Sequence, residues 1–188
     1  VRVAGVVLAA GASTRFGSAK QLAELSGERL LECAVRVARE AGLEPVVVVL
    51  GCRAEEIQAE CRLDGALLVL NPAWAEGMGS SVRAGVAALG EGRDGLVLMT
   101  CDQPGVGVEH LRRLLEAGAA GEAVGSGYAE RVGVPAYFPA SRFGELLQLR
   151  GDLGARSLLK SASSVELPDG EWDVDTPEAL EAARRRFR

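Results

Sequence analysis

Residues 3–21 read VAGVVLAAGASTRFGSAKQ, and the change of character inside this stretch decides the fold. An apolar run from Val3 to Ala10 stops at Gly11 and gives way to a small, cationic loop ending at Lys20. The run lacks polar alternation and is too short for most helices. Val3, Val6, Val7 and Leu8 therefore read as a strand buried on both faces, as in the parallel sheets of α/β proteins. Ligands of such sheets collect in loops beyond the strands' carboxyl ends. Gly11 and Gly17 allow backbone that a side chain would forbid, Ala12 and Ser13 keep the loop close to anything lying on it, and Arg15 and Lys20 add positive charge. The local reading is an oligophosphate site. A tight strand-to-helix turn is the alternative, since neither G-x-x-x-x-G-K-[ST] nor G-x-G-x-x-G is present.

The following residues repeat the strand, helix, strand theme. Leu30, Ala34, Val37, Ala38 and Ala41 recur at helical spacing up to Gly42, and VVVVL at 46–50 predicts a second buried strand. This opens a doubly wound sheet with right-handed crossovers. A helix is expected over 54–61 with Ile57 inward, and a third strand over 67–71. The compact loop PAWAEGMGSS then runs from Pro72 to Ser81, where Ser80 or Ser81 is expected to cap a helix holding Val82, Val86 and Leu89. Amides at that helix start could hold an anion, with Arg83 just inside. GLVLM at 95–99 predicts the fourth strand.

Asp102 follows that strand, with Pro104 fixing the departing backbone. A carboxylate facing a cationic phosphate loop suggests a bridging cation such as magnesium, and a surface turn residue is the other reading. A helix over 108–117 carries His110, expected to be exposed or a local hydrogen-bond donor. Pro135 inside VGVPAYF at 132–138 predicts an edge strand, a bulge or a substrate-facing bend. A helix is expected over 141–149 with Phe143, Leu146 and Leu147 inward. In RGDLGARSLL at 150–159, Asp152 is either a turn residue with a cap or part of a substrate-facing loop. VELPDGEWDVDTPEAL predicts a short strand, a turn and a final helix capped by Asp175 or Thr176, with Pro177 in its first turn. Asp173 and Asp175 face one side if extended, within reach of a metal near Asp102.

Composition sets the outer limits. The 188 residues are 48% hydrophobic but only 4% aromatic, which suits a core of small aliphatic side chains, and no linker or repeat divides them. A net charge of −5 argues against a nucleic-acid coat. Cys33, Cys52, Cys61, Cys101 and the lone His110 have no zinc spacing and are expected as buried thiols of a reducing compartment. The first apolar run lacks a basic lead-in and turns away at Gly11, so no signal peptide or membrane span is expected, and the expected location is cytoplasmic.

LAAGASTRFGSAK at 8–20 resembles the signature loop of the nucleotidyltransferases related to molybdenum cofactor cytidylyltransferase and guanylyltransferase. The resemblance continues through NPAWAEGMGSSVRAGV at 71–86, DQP at 102–104, GVPAYF at 133–138, RGDLGARSLL and DVDTPEAL at 173–180. It implies a Rossmann-like three-layer α/β/α fold with a mostly parallel central sheet. It further implies a single nucleotidyltransferase domain over 1–188, with residues 1–105 mainly nucleotide-binding and 106–188 mainly acceptor-binding and closing.

The same resemblance implies the site. Leu8, Ala9, Ala10, Gly11, Ser13, Arg15 and Lys20 would hold a nucleoside triphosphate, and Gly77, Met78, Gly79, Ser80 and Ser81 would shape the pocket around it. Asp102 and Asp175 would hold Mg²⁺, with Asp173 as the alternative second ligand, and Arg15, Lys20 and Asp102 would carry catalysis. Gly133, Pro135, Ala136, Asp152, Gly154 and Arg156 would face the acceptor. The implied reaction is cytidylyl transfer from CTP to molybdopterin, since LAAG resembles the cytidylyl-transferring members and LAGG the guanylyl-transferring ones. GTP, another phosphorylated acceptor, or a non-enzymatic nucleotide-binding or cofactor-handling role are the alternatives. Val134 stands where cytidylyl relatives often have histidine, which bears on the acceptor. Transient docking to a cofactor-recipient protein is expected, without nucleic acid or membrane.

Overall fold

The computed structural model describes residues 2–187. β1 (Val3–Ala9) is buried at every position, as its unbroken apolar run requires. A two-stranded hairpin, β2 (Glu24–Leu25) and β3 (Glu28–Arg29), leads into α1 (Leu30–Glu40), whose Leu30, Leu31, Ala34, Val35, Val37 and Ala38 are buried. β4 (Val46–Leu50), α2 (Ala54–Glu60), β5 (Ala66–Leu70), α3 (Met78–Ala87), β6 (Gly95–Thr100) and α4 (Val108–Gly118) follow. The second half holds β7 (Val124–Tyr128), β8 (Arg131–Pro139), α5 (Phe143–Leu146), a 3₁₀ strap over Gly151–Leu159, β9 (Ser163–Glu166) and α6 (Pro177–Arg186).

The central sheet has seven strands in the order β5-β4-β1-β6-β8-β7-β9. β5, β4, β1 and β6 are mutually parallel, β8 is antiparallel to β6 and β7, and β9 is parallel to β7. This is a mostly parallel, Rossmann-like sheet with a core on each face. Alternate residues of β1 separate the two: Val3 and Val7 pack toward α1, α2 and α4, whereas Ala4, Val6 and Leu8 pack toward α3, α5 and the strap. Each fully buried large aliphatic side chain contributes roughly 1.5–3 kcal/mol. Close packing on the α3 face depends on Gly85, where a Cβ would collide with Val6 and press on Val49.

Several expectations need correction. β8 is not an edge strand, because it lies between β6 and β7. Pro135 is accommodated by a bulge, the register with β7 slipping between Val124↔Tyr137 and Ser126↔Gly133, and by the end of the β6 pairing at Ala136. Ser80 and Ser81 do not cap α3. The helix already starts at Met78, and both hydroxyls are buried and accept from Asn71 Nδ2, at 2.8 and 3.0 Å. Leu147 faces outward, and Leu146 and Leu149 fill the core in its place because the expected helix is one short α-turn. His110 is buried against β7, with Nε2 2.7 Å from Ser126 Oγ. Of the thiols only Cys101 is buried; Cys33, Cys52 and Cys61 are partly exposed, and all four are free. The α6 cap is Thr176, whose Oγ1 accepts the Ala179 amide at 3.1 Å.

Candidate active site

The site forms where β1 and β6 end. Ser13, at φ 53°, and Gly17, at φ 85°, turn the loop after β1 back on itself. Buried Gln21 pins it from beneath, its Nε2 donating to Ala9 O at 2.9 Å while its Oε1 accepts from Ser13 Oγ at 3.3 Å. Ser13 Oγ in turn accepts the Lys20 amide at 3.3 Å. A short 3₁₀ turn, Lys20–Leu22, then aims Lys20 across the strand ends.

Lys20 Nζ donates to Asp102 Oδ2 at 2.6 Å and to Asp175 Oδ1 at 2.7 Å. Arg15 reaches the second oxygen of Asp175 at 3.1 Å and remains mostly exposed. Burial opposes the Lys20 charge, but Asp102 and Asp175 outweigh it and raise its pKa above the usual lysine value. Burial likewise pushes Asp175 up, and Lys20 and Arg15 outweigh that, leaving it below the usual carboxylate range. Asp173 has no such cation in contact, so burial and the charges of Asp102 and Asp175 push it up to about 6.

Among the described residues no three His, Cys, Asp or Glu side chains cluster as a metal site. Asp102 and Asp175 nevertheless converge on one cation, the Lys20 ammonium. Two hard oxygen donors of this kind fit a magnesium or manganese ion that completes its shell with substrate oxygens. A cavity of about 430 Å³ opens beside the pair. Its walls include Leu8, Ala9, Ala10, Gly11, Lys20, Gly77, Met78, Ser81 and Asp102. Gly77, at φ 109°, is the N-cap that precedes α3, and a Cβ there would run into Asp152 and the Gly151 backbone.

A family model described as the MobA-like NTP transferase domain matches residues 5–166. The chain belongs to the MobA-like NTP transferase family. Over nearly their whole lengths it is 35% identical to the nicotine blue oxidoreductase of Paenarthrobacter nicotinovorans (95% of this chain, 94% of the relative) and 36% identical to the purine catabolism protein PucB of Bacillus subtilis (96% and 95%). A local match of 54% identity covers 29% of the chain and 26% of a probable molybdenum cofactor guanylyltransferase of Opitutus terrae. Among solved structures, Rv0371c of Mycobacterium tuberculosis H37Rv in complex with manganese superposes with a TM-score of 0.84 at 33% identity, covering 98% of this chain and 99% of that one.

In this MobA-like domain the residues named from sequence are only partly brought together. Ser13 is engaged within its own loop, and Gly79 and Ser80 are buried away from the cavity, Gly79 against the Leu149–Arg150 backbone. Of the residues expected to face the acceptor, Asp152 lines the cavity beside Gly77, and Gly154 packs on Met78 Sδ. Arg156 faces a second hollow. Pro135 and Ala136 correct the expectation: both are buried in the sheet, Ala136 completely, so neither side chain offers surface to an acceptor.

Sequence reasoning passed over Trp74, Thr100, Gln21, Asn71 and Gln103. Trp74 and Thr100 line the cavity. Gln103 Nε2 donates to Val134 O at 3.2 Å and Gly170 O at 3.4 Å, tying the loop after β6 to the opposite wall. A lone Trp in a glycine-rich loop and an Asn ending a strand were the available signals. No described helix is long and apolar enough to cross a membrane.

Proposed function

We propose that this nucleotidyltransferase moves a cytidylyl group from CTP to molybdopterin and releases pyrophosphate. The supporting observation is the ammonium of Lys20 held between Asp102 and Asp175 at the mouth of the cavity beside the β1 loop. In this reading residues 1–105 supply most of the nucleotide site, with the Leu8–Gly11 backbone and Gly77–Ser81 around the nucleotide, and residues 106–188 supply most of the acceptor site.

An oxygen of the acceptor phosphate attacks the α-phosphorus. The new P–O bond forms as the bond to the β-phosphate oxygen breaks, and pyrophosphate takes that electron pair. A phosphomonoester is already largely ionised near neutral pH, so no side chain need remove a proton. Lys20 and Arg15 neutralise charge on the transferring and leaving phosphates and keep them in line. Asp102 and Asp175 would hold Mg²⁺, which supplies electrostatic stabilisation of the phosphate oxygens when bound. The manganese complex of the mycobacterial relative supports a divalent ion in this fold. Ala10 in LAAG supports CTP, whereas the local likeness to a probable guanylyltransferase favours GTP. The free thiols support a reducing, cytoplasmic setting, where transient docking to a recipient protein would deliver the product.

The test is pyrophosphate release with Mg²⁺ and CTP, with GTP in parallel, each with and without molybdopterin. Release that depends on molybdopterin and favours CTP is expected. Preference for GTP overturns the base assignment, and release with another phosphorylated acceptor alone overturns molybdopterin. The name of the Paenarthrobacter relative favours a second reading, redox use of the same cavity. It predicts redox turnover of an added electron donor and acceptor pair without any pyrophosphate.

A further inference from the structure

The central sheet ends at β5 on one side and at β9 on the other, and the two edges differ in chemistry. β9 carries Ser163, Ser164 and Glu166, polar residues of the kind that keep an edge from pairing. β5, ALLVL over Ala66–Leu70, carries no polar or charged side chain. Leu67, Leu68 and Leu70 are 46%, 38% and 61% exposed there, and no described strand pairs with its outer side. An unguarded apolar edge is a template for another strand.

The backbone fixes which groups that edge offers. The Asn71 amide donates to Leu50 O at 2.7 Å, so Asn71 points into the β4 ladder, and by the alternation of a strand so do Leu67 and Val69. The N–H and C=O groups of Leu68 and Leu70 and the C=O of Ala66 therefore point outward. The Ala66 amide is already taken by Leu63 O at 3.0 Å. Side chains alternate in the same way. Ala66 packs on the core beneath α2, which puts Leu68 and Leu70 on that side, and Val69 packs on the core beneath α3, which puts Leu67 on the other.

We propose that β5 pairs with β5 of a second copy of this chain, antiparallel about a two-fold axis at Leu68, so that the two central sheets become one. In this register Leu68 exchanges both its hydrogen bonds with Leu68 of the second copy, and the Leu70 N–H donates to Ala66 O of the second copy. Leu68 then meets Leu68, Leu70 meets Ala66, and Leu67 meets Val69, so apolar meets apolar at every position. The next register toward the carboxyl end sets Leu67 against Asn71 and Ala66 against Pro72. The two ends of the strand also differ in charge. Arg39 lies beside Gly65 at its start, with Nη1 donating to Asp64 O at 2.9 Å. Glu55 lines the hollow beside Leu70 at its other end, where Arg53 is paired with Glu56 at 3.7 Å. Antiparallel pairing sets these unlike ends together. It also turns the carboxyl ends of the two sheets in opposite directions, which keeps the two β1-loop cavities on opposite rims.

The test is sedimentation of the full chain from about 1 to 300 µM, with amide hydrogen exchange read at both ends of that range. A reversible dimer with a dissociation constant on the order of 10 µM is expected, since a single strand pair is a small interface. In the dimer the Leu68 and Leu70 amides should exchange at least about tenfold more slowly than in the dilute protein, while Leu67 and Val69 stay protected at both concentrations. Leu68→Lys sets two like charges face to face and should weaken the dimer about tenfold or more. Leu147→Lys, which charges another exposed leucine, should leave it within about twofold. A monomer across the whole range assigns the edge to some other strand and overturns the proposal. So does a dimer whose Leu68 and Leu70 amides are no slower, or one that Leu68→Lys leaves intact. Thermal melts of both variants exclude misfolding, and the exchange measurement needs no variant.

Discussion

The carbonyl of Asp102 accepts the amide of Val174 at 2.8 Å, so the strand end bearing one carboxylate is hydrogen-bonded to the turn bearing two others. Asp173 and Asp175 flank that amide in sequence. The approach of Asp102 and Asp175 is thus built into the backbone, and Lys20 neutralises an arrangement that already exists. Each charge in the cluster should therefore respond separately to substitution.

Lys20→Met should lower turnover on the order of a hundredfold while weakening CTP binding less. Turnover within about twofold of the unaltered protein rejects a role in the transition state. The substitution also strands two carboxylates, which is destabilising. Lys20 is raised, so its contribution is present below the ordinary value of 10.5 and is lost only in stronger alkali. Asp175 is lowered, so its contribution is present above 3.8 and is lost as pH falls below that value. The melting temperatures of the two proteins should differ from about pH 5 to 9 and converge in acid.

Asp173→Asn should stabilise the metal-free protein at neutral pH. With Asp173 raised from 3.8 to about 6, the folded state binds the extra proton between those values, so stability falls as pH rises through that window. After discounting for partial exposure, urea unfolding in a chelator should give a gain of about 1 kcal/mol above pH 6 and none below about pH 4. A pH-independent difference contradicts the assignment.

His110 should remain neutral in mildly acidic solution. Burial, and secondarily the charge of Arg113, lower its pKa to about 4. Ser126 Oγ donates to Pro135 O at 2.6 Å, so it accepts from His110 Nε2–H, and Nδ1 is left without a partner. Because the folded value lies below 6.5, this residue's contribution to stability declines as pH drops from 6.5 toward 4. As the only histidine, it gives a single NMR titration, and a midpoint near 6.5 would show that the ring is solvated.

Asn71→Ala should cost about 1–3 kcal/mol in urea unfolding, because it removes the donor to two buried hydroxyls, Ser80 and Ser81. Asn71 Oδ1 also accepts the Ala73 amide at 3.0 Å. Loss of both restraints should loosen the Trp74 wall of the cavity and weaken CTP binding as well. An unchanged unfolding midpoint would mean that the hydroxyls find other partners.

The first half of the chain was largely readable in advance because its elements are local. β1, α1, β4 and β6 carry continuous apolar runs or helical spacing, and the loop bearing Lys20 follows directly from one of them. The second half depends on partners distant in sequence. Pro135 signals an irregular strand, but nothing near it reveals that β6 and β7 close on both sides of β8. The hairpin that presents Arg131 turns on Ala129 and Glu130, both at positive φ, where residue type gives no warning. The family resemblance turns both Asp152 and Arg156 toward the acceptor. The kink at Gly154, φ 53°, sends them to different hollows.

That kinked strap is a wall of both hollows. It contributes Asp152 to one and Arg156 to the other, and it lies across α3 through Gly154 and Met78. A nucleotide that repositioned Asp152 against Gly77 would act on the same nine-residue segment that carries Arg156. Any preference of the strap for one position when CTP is bound must appear as a changed affinity for the second substrate, and by equal measure in the reverse direction. Order of addition and fidelity of pairing would then be properties of one short piece of backbone.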